Sequence, residues 1–200
     1  MNTVVKKQSL ITPKFRMSFP ALFTQAKPMK DGDEPKYSIT CLFPPGCDLS
    51  NLQKAAVACA VDKWGDTARD KIAKGKIRSP FRKQDEKEGM EGYEPGGIFI
   101  IARSGTKPNV VGPNVQPVTD PSMVYPGRWA RASLTTFAWT HKTGGLGVSF
   151  GLSNVQLLED DKSFGAGRSK ASDDFQPVDI GDDGGKQLAE AEEGGSLFGV

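Results

Sequence analysis

The chain holds one histidine, His141, and three cysteines, Cys41, Cys47 and Cys59. So small a stock of proton- and metal-handling side chains narrows the chemistry open to it. Any Ser-His-Asp or Cys-His arrangement must be built on His141, which stands beside Lys142 at a turn, where a solvated residue is the plainer reading. No CxxC pair occurs, so the spacing of a zinc site is missing. An odd number of cysteines fits no disulfide framework, and reduced thiols in a cytosolic setting are expected. Long apolar runs are also absent. Stretches such as Ile98 to Ala102 fall far short of the roughly 20 residues of a membrane span, and Lys6, Lys7 and Gln8 stand where a signal peptide is apolar. No membrane partner is expected. Gly184-Gly185-Lys186 lacks the earlier glycine and the hydroxyl of a phosphate-binding loop. The acids Asp31/Asp33 and Glu159/Asp160/Asp161 lie in loop-like sequence and read as solvated charge. A catalytic reading therefore ranks last, with no cofactor or metal expected.

What is present points elsewhere. Two hundred residues with 37% apolar content support one domain with a core, plus an appendage. The net charge of +2 hides a division: residues 171–200 carry eight acids against Lys186, a net of −7, which leaves residues 1–170 at +9. A basic body with an acidic tail is the asymmetry expected of a nucleic-acid partner. We place a folded domain at 1–165 and a disordered tail at 166–200, where glycines and acids replace apolar periodicity.

Within the domain, Phe15, Met17 and Phe19 alternate with Lys14, Arg16 and Ser18, which predicts a strand that Pro20 ends. A second strand spans Lys36 to Phe43. From Asp48 the period changes to three and four residues through Leu49, Leu52, Ala56, Cys59, Ala60 and Lys63, one face of an amphipathic helix that Gly65 interrupts. A short helical piece at Asp66 to Lys74 follows. The stretch Lys71 to Lys87 reads as a mobile basic loop around Phe81. Strands are expected at Gly97 to Arg103, Tyr125 to His141 and Leu146 to Leu158, the last two joined across Lys142-Thr143-Gly144-Gly145, with a short strand at Asn109 to Val111. The fold class is mainly β: a small closed OB-type barrel with one inserted amphipathic helix and the disordered tail.

The strongest functional signal is Gly127 to Trp139. Unbroken alternation puts Trp129, Arg131, Ser133, Thr135, Phe137 and Trp139 on one face and Ala130, Ala132, Leu134 and Ala138 on the other. Small residues suit a tight interior, which leaves two tryptophans and an arginine outside as a stacking platform for bases. The alternative is that both indoles fill the core, or that a β-bulge exchanges the faces midway. Candidate phosphate partners are Arg16, Arg103, Lys107, Arg128, Lys142 and, in the basic loop, Lys76, Arg78 and Arg82 beside Phe81.

These segments resemble a family of phage-encoded single-stranded DNA-binding proteins with an OB-fold. The resemblance runs through Arg16-Met17-Ser18-Phe19-Pro20-Ala21-Leu22-Phe23, Lys36-Tyr37-Ser38-Ile39-Thr40, and Gly97 to Arg103 with Lys107-Pro108. It continues through Tyr125 to Ala132 and Gly147 to Gln156, covering most of residues 14–165 in order. It implies sequence-independent coating and protection of single strands during phage DNA replication or recombination, without catalysis, in the cytoplasm of an infected bacterial host. The tail resembles those of single-strand binders that end in an aromatic recognised by replication enzymes such as a polymerase or helicase. Here Asp182, Asp183, Glu190, Glu192, Glu193, Leu197 and Phe198 are the candidates, with Gly199-Val200 displacing Phe198 from the terminus. A homo-oligomer or cooperative filament on DNA is left open. The rival readings are a phage assembly or structural β-barrel without a nucleic-acid role, and an RNA-binding or annealing module.

Overall fold

The computed structural model describes residues 10–28, 32–141 and 143–165. Among these, nine strands and two helices follow in the order β1 (Leu10–Ile11), β2 (Phe15–Ala26), β3 (Lys36–Phe43), α1 (Ser50–Trp64), α2 (Thr67–Ala73), β4 (Ile77–Arg78), β5 (Arg82–Lys83), β6 (Ile98–Ser104), β7 (Asn109–Val111), β8 (Trp129–Thr140) and β9 (Leu146–Leu157). Five long strands carry the architecture. β2 pairs antiparallel with β3, β3 antiparallel with β6, β6 parallel with β9, and β9 antiparallel with β8. β8 in turn meets β2 at Phe15↔Ala130 and Arg16↔Trp129, so each of the five has two partners within the set.

The period-two pattern explains the core. Ile39, Cys41 and Phe43 of β3 face Ile100 and Ala102 of β6, with Ala130, Ala132 and Leu134 of β8, and all are buried. The alanines leave room for aromatics, and Phe15 meets Phe43 edge-on at 5.7 Å between centroids. Helix α1 buries Leu52, Ala56 and Ala60 and packs against β8 and β9. It stops at Gly65, whose φ of +70° a side chain would resist. A second helix, α2, follows with Ala68 buried, so two helices stand where the fold class had one.

Two further expectations are corrected. The stretch 71–87 is not an irregular loop throughout: it contains the end of α2, β4, β5 and a single 3-10 turn at Gln84–Lys87. Gln84 anchors it, because its buried Nε2 donates to the carbonyls of Phe43 (2.8 Å) and Ile98 (3.0 Å) while its Oε1 accepts from Glu94 N (2.8 Å). A glutamine among charged residues carries no sequence signal for that role. Pro20, moreover, does not end β2. The register passes from Ser18↔Thr40 to Ala21↔Ser38, so one extra residue sits on β2, and a proline at a bulge leaves the ladder intact. Phe19, expected inside with Phe15 and Met17, is thrown out by this bulge to 61% exposure, with φ at +46°. Left-handed backbone at a non-glycine residue costs about 1–2 kcal/mol.

Candidate nucleic-acid interface

Strand β8 keeps its alternation except at Ser133, which the pattern places on the outer face but which is buried where β1 pairs with it at Ile11 and Asn154 Nδ2 donates to its Oγ. Its register with β9 shifts between Ser133↔Asn154 and Leu134↔Leu152, so the extra residue, Ser153, lies on β9 and the faces of β8 are not exchanged. Ala130, Ala132 and Leu134 point inward; Trp129, Arg131, Thr135, Phe137 and Trp139 stay on the outer face, partly or fully exposed. Opposite them, β9 offers small outward residues: Trp139 pairs with Gly147, Phe137 with Ser149, and Thr135 with Gly151. The indole of Trp139 lies across Gly147, where a Cβ would fall 2.2 Å from the ring, and its Nε1 donates to Ser149 Oγ at 2.9 Å. Phe137 is 47% exposed.

The far edge of β9 supplies charge. β4 sets Arg78 opposite Gly147, and β6 sets Arg103 opposite Gly151. Cross-strand partners share a face, so both arginines flank the glycine-serine floor on the side away from the rings, two strand spacings or roughly 10 Å across. Both are exposed, and among the described residues neither has a carboxylate partner. Rings on one side, small residues between and open guanidinium groups on the other form a shallow track suited to stacked bases and their phosphates.

A second cluster of predicted residues is in use within the protein. The Nε1 of Trp129 donates to Asp161 Oδ2 at 2.8 Å, and Lys14 lies 4.9 Å over its ring. Arg16 donates from Nε to Gly127 O (2.8 Å) and from NH2 to Lys162 O (2.7 Å), pairs with Asp161 at 3.3 Å, and stacks 4.4 Å from Phe164. Arg128 is 4% exposed, bonded to Met123 O and paired with Asp160 at 3.1 Å. The return segment 159–164 thus lies over this corner. Hydrogen bonds from Lys162 N and the Trp129 indole, with Arg16 beside it, hold the Asp161 carboxyl below the usual carboxylate range. Partial burial and the bond to Asp160 push the Tyr125 phenol up.

The other predicted residues are scattered. Arg82 is exposed, bound to Glu86 and set 5.0 Å over Phe99. Half-buried Phe81 meets Phe150 edge-on at 5.7 Å. Lys107 lies 5.2 Å over Phe23, Arg131 donates to Gln156 at 2.7 Å, and Lys76 is exposed just before β4. Lys142 and the tail residues Asp182, Asp183, Glu190, Glu192, Glu193, Leu197 and Phe198 lie outside the described residues. Sequence reasoning put Phe137 on the platform face without naming it as a contact, and it overlooked the floor of Gly147, Ser149 and Gly151. The alternation of glycine and serine with Val148 and Phe150 was the available signal.

An open mainly β face that combines rings with exposed arginines defines a protein of the nucleic-acid-binding class. The family described as Enterobacter phage Enc34, ssDNA-binding protein, matches residues 8–185, and the chain belongs to that family. Among solved structures it resembles the single-stranded DNA-binding protein of bacteriophage Enc34 in complex with ssDNA (24% identity, 80% of this chain and 91% of that chain, TM-score 0.61). The same phage protein without the complex gives 24% identity over 86% and 92%, with a TM-score of 0.57. It also resembles gp2.5, a single-stranded DNA-binding protein encoded by bacteriophage T7 (13% identity, 84% and 95%, TM-score 0.55). At these identities the likeness to the solved structures is one of fold. No curated protein matches the chain in sequence.

Proposed function

We propose that this protein binds single-stranded DNA without reading its sequence, on the outer face of β8 and β9, and that the five mutually paired strands form a closed OB-type barrel. The observation that carries the reading is the pairing of Phe137 and Trp139 with small residues of β9, flanked by the exposed Arg78 and Arg103. Every base has a π-face, so rings hold bases without discrimination, while the arginines neutralise phosphates. The bound protein coats and protects strands during phage DNA replication or recombination in the host cytoplasm and performs no chemistry. Its acidic tail, with Asp182, Asp183, Glu190, Glu192, Glu193, Leu197 and Phe198, modulates binding and recruits replication enzymes.

The test is a salt series of titrations with an unstructured DNA oligonucleotide, followed by tryptophan fluorescence. Replacing both Phe137 and Trp139 by alanine is expected to weaken binding about tenfold or more, as the loss of two stacking rings requires. Arg78→Gln and Arg103→Gln should each flatten the dependence of log K on log salt by about 0.7. Tighter binding to RNA or duplex of equal length would favour the annealing module. A defined oligomer with no affinity for nucleic acid would favour the assembly protein.

A further inference from the structure

Phe19 is the most exposed aromatic ring among the described residues, at 61%, and its backbone is left-handed at φ +46°. Both features act against the folded state. The ring is left in water, and the conformation is one that a bulky residue avoids, the more so before a proline, which disfavours helical backbone in the residue ahead of it. Strain of this kind persists where the surrounding structure imposes it, and it gathers at functional positions. The surroundings do impose it here. Ser18 is held opposite Thr40 with its Oγ 3.5 Å from Tyr93 OH, and the pairing resumes at Ala21↔Ser38. The one surplus residue must be absorbed at Phe19-Pro20, and the ring is expelled from the inner face as a result.

The place of the expelled ring gives it a use. Ala21 pairs with Ser38, Ser38 with Arg103, Arg103 with Gly151, and Gly151 with Thr135, one transverse row across β2, β3, β6, β9 and β8. The Phe19 bulge adjoins the β2 end of this row, while Phe137 and Trp139 adjoin its β8 end, with the exposed Arg103 between them. We propose that Phe19 is a further base-stacking residue, which extends the single-strand track from the β8–β9 hairpin across Arg103 to the bulge of β2. This rests on the single-strand reading above. A pyrimidine or purine ring is the fitting occupant, because an exposed ring and an exposed guanidinium two strands away along the same row offer stacking and phosphate neutralisation to successive nucleotides of one strand.

Glycine separates function from fold at this position, since it accepts positive φ freely. Phe19→Gly is expected to melt no lower than the parent protein and to bind an unstructured DNA oligonucleotide about fivefold or more weakly, the lower end of the loss of one stacked base. The salt slope should not change, because no charge is removed. Phe19→Trp should restore affinity. If Phe19→Gly binds within twofold of the parent while the Phe137/Trp139 double variant is weakened, the extension to β2 is wrong and the hairpin site stands. If neither variant differs from the parent, both the extension and the site on which it rests fail.

Discussion

At Gly147 it is the missing side chain that lets the Trp139 indole lie flat on the neighbouring strand. A methyl group there would stand 2.2 Å from the ring, and Gly147 is buried between strands, so the indole must swing out. Gly147→Ala is therefore expected to break the Trp139 Nε1–Ser149 hydrogen bond, shift tryptophan emission toward that of a solvated ring, and weaken single-strand binding about as much as removing the ring. The stability cost should stay near the low end of the about 1–3 kcal/mol of overpacked sites, because the obstructed group is a side chain with solvent beside it. Melting and emission spectra of the variant check both halves. Arginines show the same dependence on position. Arg103 and Arg128 look alike in sequence, yet one stands open beside Gly151 and the other is 4% exposed against Met123 O and Asp160.

Elements were legible where their pattern was local. β3 runs from Lys36 to Phe43 as its alternation requires, and β7 from Asn109 to Val111. The outward face of β8 could be read because the irregular residue of the hairpin, Ser153, belongs to its partner. β2 was misread at Pro20 because the bulge that accommodates a proline is imposed by β3, a neighbour the local pattern does not contain. The return segment 159–164 was illegible for the same reason. Glu159, Asp160 and Asp161 look like solvated acids until Lys14, Arg128, Arg16 and Trp129 are brought beneath them. Asp161 favours its charged form in the folded protein, so its hold on the segment is complete above the ordinary aspartate range and is lost as pH falls through its lowered value. In a protein whose other tryptophans, Trp64 and Trp139, are replaced by phenylalanine, Trp129 fluorescence should report this release below the usual carboxylate range. Asp161→Asn should abolish that acid transition; an unchanged transition would mean that Asp161 does not control it.

Over the whole molecule, charge is divided more sharply than any single element shows, with −7 on residues 171–200 and +9 on the remainder. Opposite charges on one chain are held at a high effective concentration by their linkage, so under the tail role proposed above the acids would compete with phosphates for the arginines of the domain. This competition is long-ranged only in dilute salt, because screening shortens to about 8 Å at physiological ionic strength. Deleting residues 171–200 is accordingly expected to tighten single-strand binding several-fold at low salt, with the advantage shrinking as salt rises and the two proteins converging. A tail in which the eight acids are replaced by their amides should behave like the deletion, and a tail with the same residues in shuffled order should behave like the parent. Were the shuffled tail to act like the deletion, the order of residues around Leu197 and Phe198, rather than their company of acids, would be what restrains binding, and electrostatic competition would be the wrong account.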